Sequence, residues 1–412
     1  MHHFQYRKGT LYAEEVGVSE LAKQYGTPLY VYSAATLRRH FQAFDSAFNG
    51  LKHMTCYSVK ANSNLSVLRL LGEMGAGMDI VSGGELFRAL KAGVPANKIV
   101  YSGVGKKAEE IREALEADIL MFNVESMAEL ERINEVAKSM GKIARVGFRI
   151  NPDVDPKTHP YISTGMKKNK FGLDIEHSLK AYERAKDMEA VEPIGMDCHI
   201  GSQLTSIEPF LEALDKLITF YNRLQDMGIS ISYLDLGGGL GITYDEEQPP
   251  HPAEFGKALS EKLQELPLTV ILEPGRVIAG NAGILVTEVV YTKKTLSRDF
   301  VIVDAAMNDL IRPALYGSFH RIAEVTENGR EPLEVDIVGP ICESSDFLAR
   351  EREMPAVKQG ELLAVFSAGA YGFPMSSNYN SRKRACELMV DDNKVTIARA
   401  RESYEDLIRG ES

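Results

Sequence analysis

The chain has 412 residues, 44% apolar and 25% charged, an ordinary globular composition and too much chain for one small core, so two domains are expected. Forty-seven basic against 58 acidic residues leave a net charge of −11. That argues against a nucleic-acid partner, and no stretch approaches the ~20 apolar residues of a membrane helix.

The N-terminal run Met1-His2-His3-Phe4-Gln5-Tyr6-Arg7-Lys8 lacks the apolar core of a signal peptide. Four cysteines, Cys56, Cys198, Cys342 and Cys386, stand far apart with no C-x-x-C pair. Neither a disulfide framework nor a metal site is expected, and a reduced, cytoplasmic protein is the plain reading. Residues 27–33 are strand-like, and 34–46 have helical spacing. From there, short apolar runs alternate with amphipathic stretches. The strand candidates are 53–59, 76–81, 98–102, 119–124, 143–150, 193–200, 232–236 and 269–273. Most lack polar alternation, as strands buried on both faces do. Helical segments such as 82–92, 106–117 and 126–140 lie between them. Eight strands with seven intervening helices point to an α/β fold, a (β/α)₈ TIM-type barrel over 34–275, with an open doubly wound sheet as the alternative.

After residue 276 helices become rare. Strand-like segments at 283–292, 300–304, 333–338, 362–366, 386–390 and 394–399 predict an all-β domain, sandwich or barrel. Residues 1–33 would join it, with 27–33 adding a strand, so the second domain is expected to comprise 1–33 and 276–412. Residues 403–412 read as a helix or a loose tail.

Active sites of such barrels lie at the C-terminal strand ends, and polar residues collect there. Lys60 follows the first strand, Asp79 lies near the end of the second, and Arg149 near the end of the fifth. His199 ends the sixth, Gly237, Gly238 and Gly239 follow the seventh, and Glu273 ends the eighth. These residues suit a pyridoxal phosphate bound to Lys60. The glycine run, with Gly275 and Arg276 at the same corner, leaves backbone N–H groups open to a phosphate, although glycine serves a tight turn equally well. Glu273 can keep the ring nitrogen protonated, as an electron sink requires; a strand-end glutamate can also be a surface ion pair. His199 can stack on the ring or sit satisfied in the core. Ser202 can donate to the phosphate or cap a helix.

Tyr57-Ser58-Val59-Lys60-Ala61-Asn62, His199-Ile200-Gly201-Ser202-Gln203, the glycine run and Glu273-Pro274-Gly275-Arg276 resemble the signatures of the fold-type III pyridoxal-phosphate decarboxylases. Residues 304–316, Gly339-Pro340-Ile341-Cys342-Glu343-Ser344-Ser345-Asp346 and residues 369–380 resemble the diaminopimelate decarboxylase branch of that family. The likeness spans nearly the whole chain, in order. The basic loop over 164–172 resembles the family's loop, and could equally be a solvated turn.

The resemblance implies pyridoxal phosphate as cofactor and conversion of meso-diaminopimelate to L-lysine and carbon dioxide. Lys60 would form the Schiff base with the cofactor, His199 would stack on its ring, and Glu273 would hold its nitrogen. Asp79 would support Lys60, and Ser202, Gly239, Gly275 and Arg276 would cradle the phosphate. Tyr371 would lie near cofactor and substrate. Arg276, Arg312 and Tyr316 would grip the distal carboxylate, and Glu343 would pair with the distal ammonium. Cys342 would protonate Cα, which a thiol can do at neutral pH. Two arginines left unpaired by lysine would reject the product. The resemblance also implies a homodimer in which Cys342 and Glu343 act in the partner's site. Rival readings are an ornithine, arginine or carboxynorspermidine decarboxylase, a racemase, disfavoured by Glu273, and a non-catalytic cofactor-binding relative.

Overall fold

The computed structural model describes residues 2–155, 158, 164–165 and 169–412. Met166, Lys167 and Lys168 of the basic loop lie outside the described residues. By contacts the chain divides into two compact units, Phe41–Ile242 with Gln248–Val277, and Met1–His40 with Thr243–Glu247 and Ile278–Ser412.

The first unit is a closed barrel of eight parallel strands: β1 His53–Ser58, β2 Gly77–Ile80, β3 Ile99–Tyr101, β4 Met121–Val124, β5 Ala144–Arg149, β6 Val191–Asp197, β7 Tyr233–Asp235 and β8 Thr269–Leu272. Closure comes from β8 on β1, with Val270 opposite His53 and Leu272 opposite Thr55. Among the described residues seven α-helices connect them: α1 Leu65–Glu73, α2 Gly83–Lys91, α3 Ala108–Ala117, α4 Met127–Ser139, α5 Ile175–Lys186, α6 Glu208–Asp226 and α7 Pro252–Leu263. Several start where a short polar side chain caps the first turn. Asn64 accepts from Ser66 N, Ser82 from Glu85 N, Ser126 from Glu129 N, and Asp174 from His177 N. Cys56, Val100, Leu120, Met121 and Ile271 fill the lower barrel. Above them the strands turn polar.

Strand register decides which polar groups meet there. Ser58 pairs with Asp79 across β1 and β2. Arg149, Asp197 and Asp235 stand side by side across β5, β6 and β7.

The second unit is built on a mixed sheet in the order Phe347–Pro355, Pro332–Val338, Asp299–Val303, Gly283–Lys294, Leu29–Ser33, Cys386–Asp391, Lys394–Arg399. Strand Leu362–Val365 also pairs with Gly283–Lys294 and with Ile322–Glu324. The N-terminal strand Leu29–Ser33 sits inside this sheet, antiparallel to one neighbour and parallel to the other. All five of its residues are buried, which explains its unbroken apolar and aromatic reading. Leu29, Val31, Ile284, Val286, Leu388 and Val390 make its core with Leu11 and Leu21. A three-stranded sheet of Phe4–Arg7, Thr10–Ala13 and Val16–Gly17 precedes it.

Candidate functional site

Lys60 sits in a single turn, Val59–Ala61, just beyond β1. Its Nζ is bound closely to Asp79 Oδ2. Asp79 is fully buried on β2, and its carboxylate anchors the lysine amine beside the end of that strand. Ser58 Oγ lies 2.8 Å from the same carboxylate oxygen and 2.9 Å from the carbonyl oxygen of Glu273. One serine thereby ties the ends of β1, β2 and β8 together.

Glu273 follows β8 and is almost fully buried. Burial first, then the charges of Asp235, Asp79 and Asp197, push its pKa well above the ordinary carboxylate range. Ser102 Oγ is 3.4 Å from its Oε1.

His199 follows β6. Gly238 N donates to its Nδ1 at 3.1 Å, so a neutral ring carries its proton on Nε2. Burial, with the charges of Arg149 and Lys60, holds this imidazole well below its ordinary pKa, which keeps it neutral. Arg149 Nη2 donates to the carbonyl of His199 at 3.3 Å, and Thr164 Oγ1 does so at 2.9 Å. Arg149 is itself paired with Glu125 at 2.8 Å and lies over the Phe171 ring.

The turn after β7 accepts only glycine. Gly237 and Gly239 have φ of +63° and +116°, and a Cβ on Gly238 would lie 2.1 Å from Glu273 O. Gly275 leaves room for Ser58 and Ala61, whose Cβ atoms would lie 3.0 Å from its own. Arg276, buried at the start of the short helix Arg276–Ala279, donates from Nη2 to Ser202 Oγ at 3.1 Å.

The barrel mouth therefore brings together Lys60, Asp79, His199, Ser202, Gly239, Glu273, Gly275 and Arg276. This set fits pyridoxal phosphate: an amine on an anionic partner, a neutral imidazole, a buried carboxyl, and a glycine turn beside Ser202 and Arg276 for an anion. Reading the sequence passed over Ser58, Glu85, Ser102, Asn123, Asp197 and Asp235, all of them at this rim. Glu85, in the first turn of α2, accepts from Val81 N at 2.8 Å, and burial pushes it up to about 7.

Arg312, Tyr316, Cys342, Glu343 and Tyr371 belong to the second unit. Arg312 opens the short helix Arg312–Tyr316 and is buried. Its guanidinium lies 5.0 Å from the centre of the Tyr244 ring and 5.7 Å from that of Tyr316. Nη2 donates to Ser318 Oγ at 3.2 Å and Nε to His320 Nε2 at 3.4 Å. Cys342 and Glu343 form a second cluster on an exposed loop. Asp346 fixes that loop by accepting from Met307 N and Ile341 N, both at 2.7 Å. Cys342 N donates to Asn380 Oδ1 at 2.9 Å. Hydrogen bonds from Ser345 and Tyr379 hold Glu343 below its ordinary pKa. Tyr371 has φ +56°, a left-handed backbone that is uncommon outside glycine and tends to mark functional positions.

A family model described as the pyridoxal-binding domain of pyridoxal-dependent decarboxylases matches residues 34–280. The chain is 53% identical to diaminopimelate decarboxylase of Haemophilus influenzae, covering 99% of this chain and 98% of the relative. It is 51% identical to the Aquifex aeolicus protein of the same name, over 98% and 96%. Among solved structures, diaminopimelate decarboxylase of Helicobacter pylori in complex with L-lysine superposes with a TM-score of 0.92 at 44% identity, covering 95% of this chain and 98% of that one. That of M. jannaschii, also with L-lysine, gives 0.94 at 42% identity, covering 100% and 99%.

Proposed function

Because the chain belongs to the pyridoxal-dependent decarboxylases, with diaminopimelate decarboxylases as its full-length relatives, we propose that it decarboxylates meso-2,6-diaminopimelate to L-lysine and carbon dioxide. The observation that carries the reading is the Lys60 amine, held on buried Asp79 and joined through Ser58 to the strand end that bears Glu273. When bound there, pyridoxal phosphate supplies the sink for the electron pair left as carbon dioxide departs.

The chain's own residues have the following assignments. Lys60 Nζ holds the cofactor covalently, and Asp79 orients that amine. Glu273 would face the ring nitrogen, and His199, kept neutral, would lie against the ring. The N–H groups of the 237–239 turn, Ser202 Oγ, Gly275 and Arg276 take the phosphate. Tyr371 would lie near cofactor and substrate. Arg276, Arg312 and Tyr316 recognise the distal carboxylate and Glu343 the distal ammonium. Arg312 suits that task because a planar guanidinium spread over aromatic rings can bind a carboxylate through two parallel hydrogen bonds. Cys342 Sγ delivers a proton to Cα. The L-lysine held by the two solved relatives is the product expected here.

Assembly is part of the proposal: a two-fold dimer in which Cys342 and Glu343 serve the partner's site. Both are exposed in the single chain, as such a role requires. No helix among the described residues is long and apolar enough to cross a membrane, and four free cysteines favour a reduced, cytoplasmic setting.

Carbon dioxide release should be measured with pyridoxal phosphate and, in parallel, meso-diaminopimelate, lysine, ornithine and arginine. Release from meso-diaminopimelate alone, with lysine as product, is expected. Release from ornithine or arginine would sink the substrate assignment. No release from a protein that shows bound-cofactor absorbance would sink the enzymatic one.

A further inference from the structure

Cys342 and Glu343 sit on a loop whose backbone is tied down at successive residues. Asp346, from the loop itself, accepts from Ile341 N at 2.7 Å, and Glu343 N donates to Ile341 O at 2.8 Å. The Cys342 N–H between them is fixed from outside the loop. It donates at 2.9 Å to Asn380 Oδ1, a side chain 38 residues further along the chain.

Asn380 is itself held. It lies in the single turn Tyr379–Ser381 with φ +55°, and Ser381 follows with φ +53°. Left-handed backbone is uncommon outside glycine and collects at functional positions; asparagine is among the few other residues that adopt it readily. Asparagine thus meets both demands of the position, a left-handed backbone and a short acceptor. The turn is clamped on both sides. Before it, Ser377 N donates to Asn308 O at 2.9 Å, and Asn378 Nδ2 donates to Glu402 Oε2 at 2.6 Å. After it, Arg384 N donates to the same Glu402 oxygen at 2.7 Å.

We propose that Asn380 is a positioning residue for the Cα proton donor: its side-chain oxygen fixes the Cys342 backbone, and so the place to which the thiol is carried. This rests on the assignment of Cys342 as that donor. A single side-chain torsion separates the Cys342 backbone from Sγ, so a fixed backbone leaves the sulfur only its few staggered positions. Proton transfer needs the donor within hydrogen-bond reach of the receiving atom, and a misplacement of about 1 Å costs such a step about 100-fold. In the step, the S–H bond breaks, a C–H bond forms at Cα with the electron pair that carbon dioxide left behind, and the thiolate regains its proton from water. Asn380 acts on Cys342 and not on the substrate.

Glycine adopts the left-handed backbone at no steric cost, so Asn380→Gly removes the acceptor and leaves the turn. In the full-length protein, with or without cofactor, amide hydrogen exchange at Cys342 should be faster in Asn380→Gly than in the parent. It should stay parental in Asn380→Asp, which keeps the acceptor. In the loaded enzyme, Asn380→Gly should lower kcat for meso-diaminopimelate about 10- to 100-fold and leave KM and cofactor affinity within about twofold. The solvent deuterium isotope effect on kcat should grow, because proton delivery then limits turnover. Asn380→Asp should keep most of the parental kcat. Should Asn380→Gly fail to fold, Asn380→Ala replaces it under the same readings. Unchanged exchange at Cys342, an unchanged kcat and isotope effect, a KM that rises as far as kcat falls, or a loss in Asn380→Asp equal to that in Asn380→Gly overturns the proposal. No carbon dioxide from the parent would overturn the functional reading as well, whereas an active parent beside an unaffected Asn380→Gly overturns this proposal alone.

Discussion

Arg312 has both its charge and its shape in use. The guanidinium is buried over two tyrosine rings and donates to Ser318 and His320, which fixes the plane of the group before any ligand arrives. Arg312→Lys keeps the charge and loses the fork. A charge-assisted hydrogen bond is worth about 1.5–3 kcal/mol, so kcat/KM for meso-diaminopimelate should fall roughly 10- to 150-fold, mostly through KM. Steady-state kinetics checks it, and an unchanged KM would remove Arg312 from substrate recognition. At this scale the sequence was legible where a residue type is rare in its setting. A lysine beyond a strand end, a glycine triplet and a histidine before Gly-Ser could all be picked out by inspection. Asp197 and Asp235 could not, because an aspartate at a strand end is common. Only the register that sets them beside Arg149 makes them a cluster. A signal was present for some all the same: Asp79, Asn123 and Asp235 are single polar residues in the short strands Gly77–Ile80, Met121–Val124 and Tyr233–Asp235.

The turn after β7 is the element that shapes the anion corner. A Cβ at Gly238 would lie 2.1 Å from a backbone carbonyl, so Gly238→Ala must displace either this turn or the end of β8 that carries Glu273. Such overpacking costs about 1–3 kcal/mol, and the displaced N–H groups would lose their aim. Cofactor affinity, followed by absorbance titration, should weaken about tenfold or more. Gly50→Ala, where an added Cβ meets nothing within 4 Å, should bind as the parent does. Equal affinity in both variants would mean that the turn does not touch the cofactor. Elements that build the barrel were readable because parallel strands are buried on both faces and their helices begin at polar caps. Strand Phe347–Pro355 was not. Its Arg-Glu-Arg-Glu centre carries no apolar alternation, and pairing with Pro332–Val338 holds it in the sheet. Ile322–Glu324 is too short, at three residues, to declare itself by pattern.

For the molecule as a whole, buried acids make stability depend on pH. Burial pushes Asp309 of the second unit up to about 7, against an ordinary carboxylate value near 4 in the unfolded chain. Between those values the folded protein holds a proton that the unfolded chain has lost. Stability therefore falls as pH rises from about 4 to about 7 and levels off above. Asp309→Asn can still accept from Ala306 N, as Asp309 does at 3.0 Å, and carries no charge to bury. Its apparent Tm should match the parent at low pH and exceed it at pH 8, by an amount equivalent to at most about 4 kcal/mol; thermal melts at both pH values decide. An equal loss at both would mean that the carboxyl matters for shape and not for charge. Activity, in contrast, is proposed to need two chains. Lys60→Ala and Cys342→Ala should each be inactive alone, for lack of the cofactor bond and of the proton donor respectively. If a site draws Lys60 from one chain and Cys342 from the other, a mixed dimer has one site with both defects and one with neither. Random exchange of equal amounts makes half of the dimers mixed, so about one quarter of parental activity should return. Carbon dioxide release from the mixture measures this, with exchange verified by mass-labelled chains. Full exchange without recovery would mean that Lys60 and Cys342 serve one and the same chain's site.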